Sequence, residues 1–209
     1  MEKVLTVLKV NLKYNIFPFA LSCIFMMVAA PLFVGTENLM EYQVARIAEL
    51  YIALFGVIML IPVFAPEMNR DIKDLLYSKK THVFILHIIR ILQSVVLLSV
   101  FCAAFLLYLK WGKCNFSFIK IFYTVMANSV FLGGIGMLVF ALSDQIVFAY
   151  MLPLVYYAVN FGMKPDKLGK FYLFSMQMGK LEIKHWLLAV GLAAMVAAVV
   201  VRHVITRGK

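Results

Sequence analysis

The most polar segment inside the chain runs from Pro66 to Lys80 and separates two strongly apolar stretches. Four of its apolar residues recur at helical spacing, namely Met68, Ile72, Leu75 and Leu76. Residues with this spacing share one face of a helix. Proline suits the first turn of a helix, and the helix dipole stabilises a carboxylate such as Glu67 there. The pattern predicts a short amphipathic docking helix over residues 66–80, with an ordinary solvated loop as the alternative.

Basic residues mark the ends of the neighbouring apolar stretches. Lys79 and Lys80 close the polar segment, and Arg90 precedes the next apolar stretch. A charge at the bilayer centre costs about 2.5–3.5 kcal/mol on insertion scales, and a long side chain avoids this cost by reaching the interface. We therefore expect these three residues at the membrane boundary. Glu49 is expected to be an interfacial carboxylate, the alternative being a polar residue of a transport pathway.

No catalytic signature is present in the sequence. HExxH, GxSxG and the phosphate-binding GxxxxGK[ST] are all absent, and His82 and His87 are five residues apart, which misaligns them on a helix. Three cysteines, Cys23, Cys102 and Cys114, lack the spacing of a disulfide framework or a metal site. We predict no catalytic, cofactor-binding or metal-binding residue and no enzymatic activity for this chain, so any ATP would be bound by a partner subunit.

The overall composition is that of a membrane protein. Hydrophobic residues make up 64% of the chain, charged residues 14%, and the mean hydropathy is +0.94. A helix needs about 20 mostly apolar residues to cross the hydrocarbon core. Six segments meet or approach this length, at residues 16–34, 47–64, 91–109, 121–142, 146–161 and 186–201. The predicted fold class is an all-α integral membrane protein, with about six transmembrane helices in a single transmembrane domain over residues 1–209.

The N-terminal residues 1–14 place Leu5, Leu8 and Leu12 on one helical face and lysines on another, which predicts an interfacial amphipathic helix. The alternative is a frayed tail. The net charge of +10 does not indicate nucleic-acid binding, because the lysines flank apolar spans and suit contacts with the lipid bilayer.

Basic residues also predict the orientation. Three lysines precede the first span and only Arg46 follows it, which places the N-terminus in the cytoplasm. With six spans the C-terminus is cytoplasmic too, and Cys114, after the third span, faces the outside. The lysines between residues 162 and 185 depart from this rule, because they would lie outside.

The run from Phe64 to Lys80, followed by residues 82–90, resembles the permease subunit of type-2 ABC transporters. In that family an acidic residue opens the cytoplasmic link after the second span, a Leu-Leu pair precedes small and basic residues, and a basic residue introduces the third span. The matching positions are Glu67, Leu75, Leu76, Ser78, Lys79 and Arg90. Lys80 departs from the pattern, because a proline is common there. The short chain also leaves no room for a large outer domain.

The resemblance implies a membrane subunit of a bacterial ABC exporter in the plasma membrane. Its cytoplasmic coupling helix would bind an ABC ATPase subunit through Glu67, Met68, Ile72, Leu75 and Leu76. A second permease chain, identical or different, would complete the assembly. The link over residues 162–185 would lie outside and supply short re-entrant helices.

Other functions remain open on the sequence. A stand-alone secondary transporter or channel should show internal repeats or ionisable residues deep in its spans, and neither is clear. A non-transporting accessory protein is a further alternative, and an intramembrane enzyme lacks the motifs. Methionine and aromatic residues in the spans would suit a peptide or lipid-like cargo, or would simply face lipid: Met26, Met27, Phe131, Tyr150 and Tyr156.

Two groups of small residues predict close helix packing, either within the chain or between subunits. They are Gly133, Gly134 and Gly136 in the fourth span, and Ala189, Ala193 and Ala197 in the sixth.

Overall fold

The computed structural model describes residues 8–33, 35–69, 83–163 and 165–207. These residues form α-helices and short helical turns, with no β-strand among them. The main helices are α1 (Leu8–Leu32), α2 (Glu41–Met68), α3 (Val83–Trp111), α4 (Phe118–Ser143), α5 (Ile146–Gly162) and α6 (Glu182–Arg207). Within the described residues, five of them are long and apolar enough to cross a membrane, and α5 is a shorter apolar helix. The all-helical class is thus confirmed.

Helices α2 and α4 form the centre of the bundle. In the most apolar stretch of α2, 78% of the residues are buried, and in that of α4, 72%. The corresponding share is only 17% in α1, 28% in α3 and 33% in α6, which therefore lie around the central pair. The site described below connects the central helices to the peripheral ones.

Glycines allow the central helices to approach closely. A Cβ added to Gly56 on α2 would lie 1.9 Å from the carbonyl oxygen of Ser129 on α4, so no larger residue fits. At the same crossing the Ser129 hydroxyl donates a hydrogen bond to the Ile52 carbonyl at 3.1 Å. Gly134 packs in the same way against the backbone of Gly191 on α6.

The outward faces of the peripheral helices are apolar. Exposed residues follow at intervals of three or four along α1 (Leu21, Phe25, Val28 and Leu32), α3 (Leu92, Val96 and Val100) and α6 (Leu192, Val196 and Val200). Monomeric soluble proteins rarely expose such continuous apolar surface. The surface suits hydrocarbon, and this is the architecture of a multi-pass membrane protein.

Helix α2 departs from regular α-helical geometry near both ends. A wider π-helical turn spans Ala48–Ile52, and a tighter 3₁₀ segment spans Ile61–Met68. Proline at position 62 and again at position 66 explains the second departure, since proline lacks the N–H that continues the α-helical ladder. Each irregular segment contains one buried glutamate, Glu49 or Glu67.

The link between α4 and α5 is as short as predicted. Helix α4 ends at Ser143, and Asp144 takes a left-handed conformation with φ of 54°. Its N–H donates to the Phe140 carbonyl at 3.0 Å, and α5 begins at Ile146. Aspartate tolerates this conformation better than most residues, which explains how the chain reverses so sharply.

Two other links pair with each other at the opposite end of the bundle. The Asn38 N–H donates to the Gly112 carbonyl at 3.0 Å, and the Asn115 N–H donates to the Leu39 carbonyl at 3.2 Å. Cys114 lies inside this pairing, where its thiol donates to the Thr36 carbonyl at 3.3 Å. The side chain is buried, so Cys114 is not the solvent-exposed residue that its place in a link suggested.

The N-terminal expectation changes in part. Residues 1–7 of the predicted interfacial helix lie outside the described residues, whereas residues 8–14 form the first turns of α1. Near this junction the Asn11 amide donates to the Gln93 side chain on α3 at 2.9 Å. A tertiary contact therefore incorporates this stretch into the bundle, which the amphipathic pattern alone did not indicate.

Between α5 and α6 the chain forms short helical turns at Pro165–Leu168, Gly169–Phe171 and Ser175–Met178. We call residues 165–181 the outer link, after the side of the membrane that the sequence predicts for it. Leu173, Phe174, Ser175 and Met176 are buried, so this segment packs into the bundle.

Candidate functional site

A buried ionic network lies where α2 ends. We call it the Glu67 network, and its members are Glu67, His87, Arg90, Asp144 and Arg202. Glu67 lies in the last turn of α2, His87 and Arg90 in the first turns of α3, and Arg202 near the end of α6. Asp144 belongs to the link between α4 and α5. The network thus joins all the helices that end on this side, apart from α1.

Glu67 is the centre of the Glu67 network. The Arg202 Nε donates to its Oε2 at 2.9 Å, and the His87 Nε2 hydrogen-bonds its Oε1. The Arg90 Nη1 lies 3.6 Å from the same Oε1. Arg202 also donates from Nη1 to the Asp144 Oδ1 at 2.6 Å, so one guanidinium bridges two carboxylates. Pairing and hydrogen bonds of this kind offset part of the desolvation penalty of the buried charges.

Aromatic rings enclose these charges. The Arg202 guanidinium lies 5.9 Å from the ring centre of Phe64 and 5.8 Å from that of Phe140. The Phe64 ring also meets His87 edge to face at 5.1 Å. Cations over aromatic faces are attracted by the ring quadrupole. The rings therefore hold Arg202 in place while they exclude water from the ion pair with Glu67.

A second network lies near the other end of α2. The Lys184 ammonium contacts the Glu49 Oε1 at 2.6 Å, and both side chains are fully buried. The same ammonium donates to the Asn128 Oδ1 at 2.9 Å and to the Leu173 carbonyl. We call this the Glu49 network, and it joins α2, α4 and α6 with the outer link.

The Glu49 network holds the backbone of the outer link in place. The Met176 N–H donates to the Glu49 Oε1 at 3.1 Å, and the Leu173 N–H donates to the Asn160 Oδ1 on α5 at 2.9 Å. Tyr172, in the same link, has a raised pKa, because of its partial burial and then the nearby Glu49 carboxylate. The outer link is therefore attached to the spans by buried polar contacts.

Both networks connect the same two helices at the same interval. Glu49 and Glu67 are 18 residues apart on α2, and their partners Lys184 and Arg202 are 18 residues apart on α6. This interval corresponds to about 27 Å of regular helix. Helices α2 and α6 therefore run parallel, and an ion pair joins them near each end, while both helices pack on α4.

The structure describes three of the predicted site residues. Glu67 is buried within the Glu67 network, at the end of α2 and not at the start of a separate helix. Met68 is exposed, and Arg90 faces Glu67 with 10% of its side chain exposed. The other members of the predicted docking face and boundary lie outside the described residues: Ile72, Leu75, Leu76, Lys79 and Lys80. Their roles stay predictions.

Two expectations about charged residues were wrong. Glu49 is not interfacial but completely buried, and Lys184 belongs to α6 and not to the preceding link. Sequence reasoning also missed the roles of Asn128, Asp144 and Arg202. The signal available in the sequence was that two glutamates on one apolar stretch and two basic residues on another are the same number of residues apart. Neither stretch shows this match when it is considered alone.

The small residues of the fourth and sixth spans differ in their surroundings. Gly133, Gly134 and Gly136 pack inside the chain, against α2, α5 and α6. Ala189 and Ala193 face outward on α6. Among the described residues, no group of histidine, cysteine, aspartate or glutamate has an arrangement suited to a metal ion. The chemistry of the site is thus charge pairing between helices.

No family model, curated protein or solved structure matches this chain.

Proposed function

We propose that this chain is the membrane-spanning permease subunit of an ATP-driven ABC exporter and works with a separate ATPase subunit. The observation that supports this proposal is the position of Glu67. It lies among the last residues of α2, at the start of the polar segment 66–80 that is predicted to dock on the ATPase, and its carboxylate pairs with α3 and α6. A displacement of that segment would therefore act on three helices at once.

The proposed mechanism is a transfer of movement from the docking segment to the spans. When the ATPase subunits close on ATP, they push the docking helix, and Glu67 moves with it. Because a buried ion pair is costly to separate, α3 and α6 follow Glu67. The ion pairs between the parallel helices α2 and α6, and the packing of both helices on α4, then carry the movement about 27 Å to the Glu49 network.

The Glu49 network is the outer end of this mechanism. Its breakage would release the outer link from Lys184 and Glu49, and so open the bundle on that side. A change of access at one end thus follows from a push at the other. The cargo that suits an apolar bundle is a peptide or an amphipathic, lipid-like molecule.

Six membrane crossings are part of the proposal. Because α2 and α6 run parallel, an odd number of crossings must separate them, and α3, α4 and α5 supply three. Helix α5 begins beside Asp144 and ends near Asn160, which bonds the outer link, so it extends between the two networks. Its 17 residues lie at the lower limit for a span. Both termini would then be cytoplasmic in a bacterial plasma membrane.

Copurification tests the proposal. The chain is expressed with the phosphate-loop ATPases encoded near its gene and purified through a tag on this chain. We expect one of them to copurify, and Leu75→Asp with Leu76→Asp to abolish its binding while membrane insertion is retained. The matched control, Tyr77→Asp with Ser78→Asp, adds the same charge away from the apolar face of the predicted helix and should retain binding. Equal ATPase recovery with both double variants, or no ATPase with the wild type, would refute the proposal.

A second candidate is a stand-alone secondary transporter. The observation that favours it is the fully buried Glu49–Lys184 pair, because ionisable residues inside spans are typical of ion-coupled transport. Transport by the purified chain alone in vesicles, driven by an ion gradient without ATP, would support this candidate and exclude the exporter.

A further inference from the structure

The Arg90 guanidinium has more hydrogen-bond donors than its surroundings use. Its Nε and Nη1 are buried and have no hydrogen-bond acceptor among the described residues. Its one ionic contact there is the 3.6 Å approach of Nη1 to Glu67, which is too long for a good hydrogen bond. Buried polar groups nearly always have a partner, so this shortage of acceptors requires an explanation.

Glu67 does not meet this shortage. Its Oε1 already takes the hydrogen bond of His87, and its Oε2 takes that of Arg202. The Oδ1 of Asp144 takes a second hydrogen bond from Arg202. His87, one turn before Arg90 on α3, likewise has an Nδ1 without a hydrogen-bond partner within the described part of the chain. Two adjacent side chains thus present unused polar atoms in one place.

We propose that Arg90 binds an oxyanion, a phosphate or a carboxylate group, beside the Glu67 network. The planar guanidinium offers a fork of N–H donors that matches the paired oxygens of such groups. Arg90 keeps 10% of its side chain exposed, although its Nε and Nη1 are buried, so the ligand would approach from this exposed part. The site lies about 10 Å along α3 from Val83, which is its first described residue, and therefore near one end of the bundle.

The oxyanion could come from an anionic lipid headgroup or from free phosphate. Water would also accept hydrogen bonds from Arg90, but it would give the site no preference for an anion. An experiment can distinguish a lipid headgroup, free phosphate and water as the partner of Arg90. The site would bind its oxyanion without the ATPase subunit, so the inference does not depend on the proposed function.

The test measures the melting temperature of the purified full chain. The probes are mixed micelles with phosphatidylglycerol, matched micelles with phosphatidylcholine, and inorganic phosphate at constant ionic strength. We expect phosphatidylglycerol or phosphate to raise the melting temperature of the wild type. Arg90→Gln should weaken the apparent affinity at least about tenfold, because a hydrogen bond to a charged group is lost. The control Arg46→Gln, at an exposed arginine on α2, should respond like the wild type.

The outcomes distinguish the sources. A rise in melting temperature with phosphatidylglycerol but not with phosphate assigns the site to a lipid headgroup. A rise with phosphate that phosphatidylglycerol does not exceed assigns it to a free oxyanion. No shift in the wild type, or the same shift in Arg90→Gln, overturns the proposal. If Arg90→Gln does not fold, Arg90→Lys retains the charge without the fork. It should reduce the shift, and an unchanged shift with that variant would overturn the proposal equally.

Discussion

Lys184 and Arg202 contact two glutamates of α2 from positions 18 residues apart on α6, and the glutamates have the same interval. Two parallel helices are thereby joined near both ends by buried ion pairs. A displacement of one helix along the other would have to separate both pairs together. The energetic and functional consequences of this arrangement can be tested separately.

The Glu49–Lys184 pair should be important for stability. Lys184→Met leaves the Glu49 carboxylate buried without its cation, and the expected loss is about 3–5 kcal/mol in the free energy of unfolding. Glu49→Gln with Lys184→Met removes both charges and should recover much of that loss. Unfolding in mixed micelles measures these differences. The control is Lys120→Met, since the Lys120–Glu41 pair is largely exposed and should contribute at most about 1 kcal/mol.

The two carboxylates that bind Arg202 should differ in importance. Glu67 is buried, whereas 49% of the Asp144 side chain is exposed. Glu67→Gln should therefore destabilise the chain by about 3 kcal/mol or more, and Asp144→Asn by about 1 kcal/mol or less. The same unfolding measurement applies. Equal losses from the two substitutions would show that Glu67 is not the centre of the network.

The close contact where α2 crosses α4 should not accommodate even one additional methyl group at Gly56. Gly56→Ala would place a Cβ 1.9 Å from the Ser129 carbonyl oxygen, so the helices would have to separate. Overpacking of this kind typically costs about 1–3 kcal/mol, occasionally more. Gly162→Ala is the matched control, because no heavy atom lies within 4 Å of the added Cβ. A melting temperature that falls with Gly56→Ala and not with Gly162→Ala is the expected result.

Whether α5 crosses the membrane can be tested by thiol labelling. Cys23, Cys102 and Cys114 are buried, so the background should be low. We expect an impermeant reagent to label Lys167→Cys in intact cells, and Gln145→Cys only after the membrane is opened. Both positions are exposed, at opposite ends of α5. Labelling of both from the same side would show that α5 does not cross.

The sequence predicts the helices well because their apolar lengths are local properties. The break at residues 143–145 is predicted for the same reason, since a short polar interval must interrupt two apolar runs. The networks were not predictable in this way. Glu49 and Lys184 each lie near the end of an apolar run, where a charge is usually interfacial, and only the packing of α2 and α6 on α4 buries them. Arg202 likewise lies at the end of an apolar run, where a basic residue usually faces the membrane boundary, and only the folded structure brings it beside Glu67.

The central claim is that ATP-driven movement passes from the Glu67 network to the Glu49 network. It is tested most directly by labelling Ser175→Cys, a buried position in the outer link, in a background without the native cysteines. The complex with its ATPase is reconstituted in nanodiscs, and the labelling rate is measured with and without ATP. The account predicts that ATP accelerates labelling several-fold, and that Arg202→Gln abolishes the acceleration while the ATPase stays bound. A labelling rate that ATP leaves unchanged, in a complex that hydrolyses ATP, would contradict it.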